Sequence, residues 1–157
     1  MRTSPFLSKA VASVLGIGYI PKGGGTVAAL LYCFIWFLLP DGYSQSFWQI
    51  LITMLLIVIG IWCGNIVDQY WGKDSSKVVI DEVAGMSVAL LYIPHNIFYI
   101  LISLLAFRFF DITKPLGVKK MENYPKGIGV MADDILSGFY ALIISVFIVY
   151  LDELFLV

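Results

Sequence analysis

Charge is scarce in this chain. Asp, Glu, Lys and Arg make up 13% of its 157 residues, against about 25% in an ordinary soluble domain. Hydrophobic residues fill 60%, and the mean hydropathy is +0.90. A soluble protein this small has too little interior to hide so much apolar surface, so the composition points to an integral membrane protein. Ten Lys and Arg stand against eleven Asp and Glu. That leaves no basic surplus, and nucleic acid is disfavoured as a partner. Cys33 and Cys63 both fall inside apolar runs, so neither a disulfide nor a metal–thiolate site is expected. The first ten residues show no continuous apolar core with a small-residue cleavage site, and they do not read as a signal peptide. Internal repeats and low-complexity tracts are absent, so residues 1–157 read as a single membrane-embedded domain.

The long apolar runs organise the rest. Val27–Leu39 stops at Pro40-Asp41-Gly42, and Phe47–Val67 is long enough to cross a bilayer. Val83–Phe110 is interrupted at Pro94-His95-Asn96, and a last run extends from about Ile135 to Tyr150. The two pieces of Val83–Phe110 are each short for a span, so length favours one kinked helix. Charge placement favours a hairpin. With a reversal at residues 94–96, Asp41–Ser46, the hairpin tip and the tail after Leu151 share one side, and none of them contains Lys or Arg. All ten cations then face the other side, as expected for the cytoplasm. The expectation is an all-α integral membrane protein, a compact bundle of about five hydrophobic helices. Some of these are too short to span fully, and the polar loops lie on the cytoplasmic face.

That face collects Tyr19–Thr26, Asp68–Glu82 and Arg108–Asp134, and with them Asp68, Asp74, Asp81, Glu82, Asp111, Asp133 and Asp134. Oxygen-rich clusters suit a hard cation such as Mg²⁺, which takes one or two carboxylates together with phosphate oxygens. Asp81-Glu82 and Asp133-Asp134 each precede an apolar run, where an acidic pair also serves as a helix N-cap. Two such pairs and Asp111 on one face favour a site over caps. Arg108, Asp111 and Lys114 are spaced three apart, so a helix end would project them into one volume. Lys119, Lys120 and Lys126 read as interfacial anchors, whereas Arg108 lies within the apolar AFRFF, where charge is costly and points to function. Glycine-rich YIPKGGGT could cradle phosphate through backbone N–H groups, with Lys22 adding charge and Thr26 capping the next helix. It is not a Walker A loop, which ends in Gly-Lys-Ser/Thr. His95, at the hairpin tip, is not expected to be catalytic.

Four motifs in chain order, YIPKGGGTVAAL, VVIDEVAGM, FRFFDITKP and GIGVMADDILSG, resemble the phosphatidylglycerophosphatase A family. The resemblance implies a bacterial inner-membrane, Mg²⁺-dependent enzyme that removes the terminal phosphate of phosphatidylglycerophosphate to leave phosphatidylglycerol. It implies functional roles for Asp81, Glu82, Arg108, Asp111, Lys114, Asp133 and Asp134. The family usually has Pro-Gly-Thr where this chain has Gly24-Gly25-Thr26, and glycine where it has Lys126. Phosphocysteine and phosphohistidine routes are disfavoured by the positions of the cysteines and of His95. On the expected scheme Asp81, Glu82, Asp133 and Asp134 hold the metal, and Asp111 is a further ligand or the general base. Arg108, Lys114, Lys22 and Thr26 hold the phosphate. The alternative from a different class is a small cation transporter or channel with a carboxylate-lined cytoplasmic ion site. A CDP-alcohol phosphotransferase would carry a dense run of aspartates that is absent here.

Overall fold

The computed structural model describes residues 5–72, 75–121, 123–125 and 127–155. Asp74 and Lys126 lie outside them. Seven α-helices occur, and no strand occurs among the described residues: α1 (Pro5–Ala12), α2 (Gly24–Phe37), α3 (Phe47–Trp71), α4 (Ile80–Ala89), α5 (Ile97–Thr113), α6 (Val118–Met121) and α7 (Gly127–Phe155).

α3 and α7 are long and apolar enough to cross a membrane, about 37 and 43 Å at 1.5 Å per residue. Only 28% of the most apolar stretch of each is buried, so most of their apolar side chains face outward. A soluble core would hide them, whereas a bilayer would not. α4 is the opposite case. Every residue in it except Glu82 is buried, because α2, α3, α5 and α7 all pack around it. It is too short to span a bilayer, and it forms the interior post of the bundle.

Local chemistry sets the helix ends. Ser46 Oγ accepts from Gln49 N (3.3 Å) at the start of α3, and Asn96 Oδ1 accepts from Phe98 N (2.9 Å) at the start of α5. Pro94 prevents α4 from running on into α5. The first turn of α4 and the last turn of α5 line the same cavity, so the chain doubles back between them. At the other end of α5 the residue before Pro115 is pushed out of the helical region. Lys114 takes a left-handed backbone (φ 46°, ψ 46°), a costly conformation for a residue with a side chain.

Helix α7 begins earlier and ends later than the apolar run from Ile135 to Tyr150 suggests. Two contacts explain the early start. Asn65 Oδ1, on α3, accepts from Gly127 N (3.1 Å), which satisfies a first-turn donor. Gly64 and Gly127 also let the two backbones touch: a Cβ on Gly64 would fall 2.9 Å from Gly127 Cα. Asp133 and Asp134 therefore lie inside α7 and are not caps in front of it. A buried polar knot locks α4 to its neighbours. Tyr32 Oη donates to Ser87 Oγ (2.9 Å), Thr53 Oγ1 lies 2.6 Å from the same oxygen, and Gln49 Nε2 donates to Ser87 O (3.1 Å).

Candidate active site

At the end of the bundle where α2 and α4 begin and α5 ends, a cavity of about 330 Å³ opens. Asp81 and Glu82 of α4, Arg108 and Asp111 of α5, Lys114 just beyond it, and Asp133 and Asp134 of α7 all line it. Gly23, Gly24 and Gly25 form one wall, and Ser75 and Ser76 part of another.

Three carboxylates gather most tightly. Asp81, Glu82 and Asp134 each present an oxygen, and these oxygens lie within 4.8 Å of one another. Asp81 Oδ1 accepts from the Glu82 backbone N (3.1 Å). Glu82 Oε2 is buried and accepts no hydrogen bond among the described residues. Burial, and then repulsion from Glu82, holds the Asp81 carboxyl well above the usual carboxylate range. Burial likewise raises Glu82. Close buried carboxyls with an unpartnered oxygen are the donor set that a hard cation requires. The residues therefore fit Mg²⁺.

The other two acids are paired with cations. Arg108 Nη1 lies 2.6 Å from Asp111 Oδ2, so these two residues three apart on α5 do share one volume, as an ion pair. Lys114 Nζ lies 2.6 Å from Asp133 Oδ2. Lys114 does not continue the helical face of Arg108 and Asp111. Its left-handed backbone carries it across to α7, a turn that the spacing could not show. Asp133, expected among the metal ligands, stands outside the tight trio, with its Oδ1 buried and unpartnered among the described residues. Among the described residues two cations line the cavity against five carboxylates, a formal excess of three negative charges when all are ionised. Buried negative charge of that size requires protons or a cation.

The glycine-rich segment differs from its expected detail. Lys22 is exposed, Thr26 is half-buried, and neither lines the cavity. Thr26 does not cap α2. The N-cap is Gly23 (φ 83°), with no side-chain cap, so backbone alone forms this wall. Gly25 is needed for space, because a Cβ there would overlap the Glu82 carboxylate. Ser75 and Ser76 carried no motif that could have singled them out. Their place at the cavity comes from the loop before α4.

The sequence model of the family described as phosphatidylglycerophosphatase A matches residues 10–149. This chain belongs to that family. It is therefore an enzyme, a phosphatidylglycerophosphatase of the phosphoric monoester hydrolase class, and the transporter alternative is set aside. A putative phosphatidylinositol-3-phosphatase of Bacteroides thetaiotaomicron is 40% identical over 152 residues, covering 92% of this chain and 94% of the relative. The phosphatidylglycerophosphatase A of Escherichia coli is 30% identical over 124 residues, or 76% of this chain and 68% of the relative. That of Haemophilus influenzae is 34% identical over 107 residues, 64% of each chain. No solved structure matches this phosphatidylglycerophosphatase A family member. The four motifs that carried the resemblance all fall within residues 10–149, and three of them supply the charged residues of the cavity.

Proposed function

We propose that this enzyme hydrolyses the terminal phosphomonoester of phosphatidylglycerophosphate, giving phosphatidylglycerol and inorganic phosphate, with Mg²⁺ as cofactor. Its place would be the bacterial cytoplasmic membrane, crossed several times, with the cavity facing the cytoplasm. The asymmetric distribution of Lys and Arg supports that orientation. The observation that carries the reading is the trio Asp81, Glu82 and Asp134 beside Arg108 and Lys114 in one cavity.

Asp81, Glu82 and Asp134 would hold the cation. When bound, it supplies Lewis-acid polarisation of the phosphoryl group. Arg108 and Lys114 would contact the phosphate oxygens and stabilise the charge that develops as the ester bond breaks. Arg108 Nε is buried and donates to no group among the described residues, so it is free to take a phosphate oxygen. The backbone N–H groups at the uncapped start of α2 offer a further anion contact on the Gly23–Gly25 wall. Overall, water adds to phosphorus while the glycerol oxygen leaves; a carboxylate of the cluster takes the proton of the water, and a proton from the cluster or from solvent goes to the departing glycerol oxygen. Asp111 and Asp133 are in the right cavity for that duty. Each would first have to exchange its Arg108 or Lys114 partner for the substrate.

The Bacteroides relative's name favours a second substrate, phosphatidylinositol 3-phosphate. Phosphate release by purified protein from each lipid, with Mg²⁺ and then with EDTA, decides between them. Faster release from phosphatidylglycerophosphate that stops with EDTA and is absent in Asp134→Asn supports the proposal. A preference for the inositol lipid would overturn the substrate, and EDTA-insensitive release would overturn the metal.

A further inference from the structure

A second cavity, of about 190 Å³, lies between α2 and α5 and is lined by side chains of Leu30, Cys33, Phe34, Phe37, Leu101 and Leu104, among other apolar residues. Cys33 and Leu104 are buried and form its floor together with Ile100. Leu30, Phe34, Phe37 and Leu101 are exposed and form its rims. These are the two helices that also reach the polar cavity, α2 through Gly24 and Gly25 and α5 through Arg108 and Asp111. Along α2 the groove starts five residues past Gly25, and along α5 four residues before Arg108. At 1.5 Å per residue both offsets are about 6–8 Å. The far end is closed by a polar element: the His95 ring stacks on Phe37 (5.2 Å), and its Nδ1 lies 3.1 Å from Asp41. An apolar channel thus begins one turn from the phosphate-handling residues and stops at the opposite polar end of the bundle.

We infer that this groove seats an acyl chain of the lipid substrate, so that the enzyme grips the lipid at both its headgroup and its tail. The inference rests on the lipid phosphatase reading above. A soluble phosphomonoester would leave the groove without purpose, whereas a diacyl substrate must place its chains within a short distance of the phosphate. The depth of the groove depends on Cys33, a small side chain where its neighbours on the same wall are Leu30, Phe34 and Phe37. A larger residue there would fill the groove without touching the charged cavity.

The test uses phosphatidylglycerophosphate carrying a photoreactive diazirine midway along one acyl chain, bound to Asp134→Asn in lipid nanodiscs and mapped by peptide mass spectrometry. Labelling is expected in residues 30–37 and 97–104 and should fall with excess unlabelled substrate but not with excess diacylglycerol. Labels spread over the outward faces of α3 and α7, or indifferent to competition, would mean bulk lipid and overturn the proposal. Turnover gives the second readout. Cys33→Trp, and Leu30→Trp at an exposed rim as a guard against misfolding, should raise KM for the long-chain lipid about tenfold or more. Turnover of a water-soluble analogue with the same headgroup and no acyl chains should be unchanged. Equal losses on both substrates, or none on either, would overturn the groove while leaving the phosphatase reading intact. Absence of turnover of both substrates by the unaltered protein would overturn that reading and this one with it.

Discussion

Gly85 of α4 and Gly138 of α7 meet backbone to backbone, each one helical turn from an acidic residue of the site, Asp81 and Asp134 respectively. A Cβ on Gly85 would fall 2.6 Å from the Asp134 carbonyl oxygen and equally close to the Phe107 ring, and one on Gly138 would overlap the Gly85 carbonyl. Two carboxylates on different helices approach closely here because nothing but hydrogen occupies the crossing point below them. Gly85→Ala and Gly138→Ala should each cost about 1–3 kcal/mol of stability through overpacking. They should also lower activity by more than the loss of folded protein explains. Thermal unfolding and turnover per folded molecule check this, and alanine variants with unaltered activity would show that the crossing does not position the carboxylates.

Lys114 combines a strained backbone with a charged task. Its left-handed conformation costs a residue with a side chain roughly 1–2 kcal/mol, which glycine avoids. Lys114→Gly should therefore be more stable than Lys114→Ala by about 1 kcal/mol, while both lose activity to a similar extent. Chemical denaturation and phosphate release on the same preparations give the comparison. A glycine variant no more stable than the alanine one would count against the left-handed backbone.

Asp134→Asn keeps the shape of the side chain and removes its charge. Loss of groups that merely support a metal ligand typically costs 10–100-fold, so loss of a ligand should cost on the order of 100-fold or more in turnover. The variant should still insert and fold, and it should lack the rise in melting temperature expected when Mg²⁺ is added to the unaltered protein. A variant that Mg²⁺ stabilises as before would remove Asp134 from the cation site.

Acidity should show in stability as well as in rate. Asp81 and Glu82 hold their protons above the ordinary carboxylate range in the folded protein, so without a cation the folded state binds more protons than the unfolded chain there. In EDTA, stability should be greatest on the acid side of that window and decline as pH rises and the buried pair is forced to ionise. Mg²⁺ held as proposed would take the place of the protons, so its stabilising effect should grow with pH. Melting curves across mildly acidic to mildly alkaline buffers, with EDTA and with Mg²⁺, test both slopes. Stability in EDTA that rises with pH would contradict the burial of the pair.

How much of this was legible beforehand follows from range of interaction. The apolar runs, the break at Pro94-His95-Asn96 and the shared helix face of Arg108 and Asp111 depend on neighbours within a few residues, and the sequence displays them. Composition alone pointed towards a membrane, and the two helices long and apolar enough to cross one agree with that reading. Four short motifs named the family, since the charged residues of the site sit in unbroken local patterns.

Other features depended on partners distant in the chain. The start of α7 was set by Asn65, on α3, which accepts from Gly127 N, so residues 127–134 read as loop until that acceptor is known. Asp133 and Asp134 are adjacent in sequence and look equivalent. Helical geometry turns them about 100° apart, one towards Lys114 and the other into the trio with Asp81 and Glu82. Lys22 and Thr26 had the right chemistry for phosphate, yet α2 begins at Gly24 and leaves both away from the cavity. Sequence by itself determined which residues are charged and which segments are too apolar for water. Tertiary packing decided which charges meet, because backbone approach at Gly25, Gly85 and Gly138 depends on what lies opposite each glycine, and a linear pattern carries no record of that.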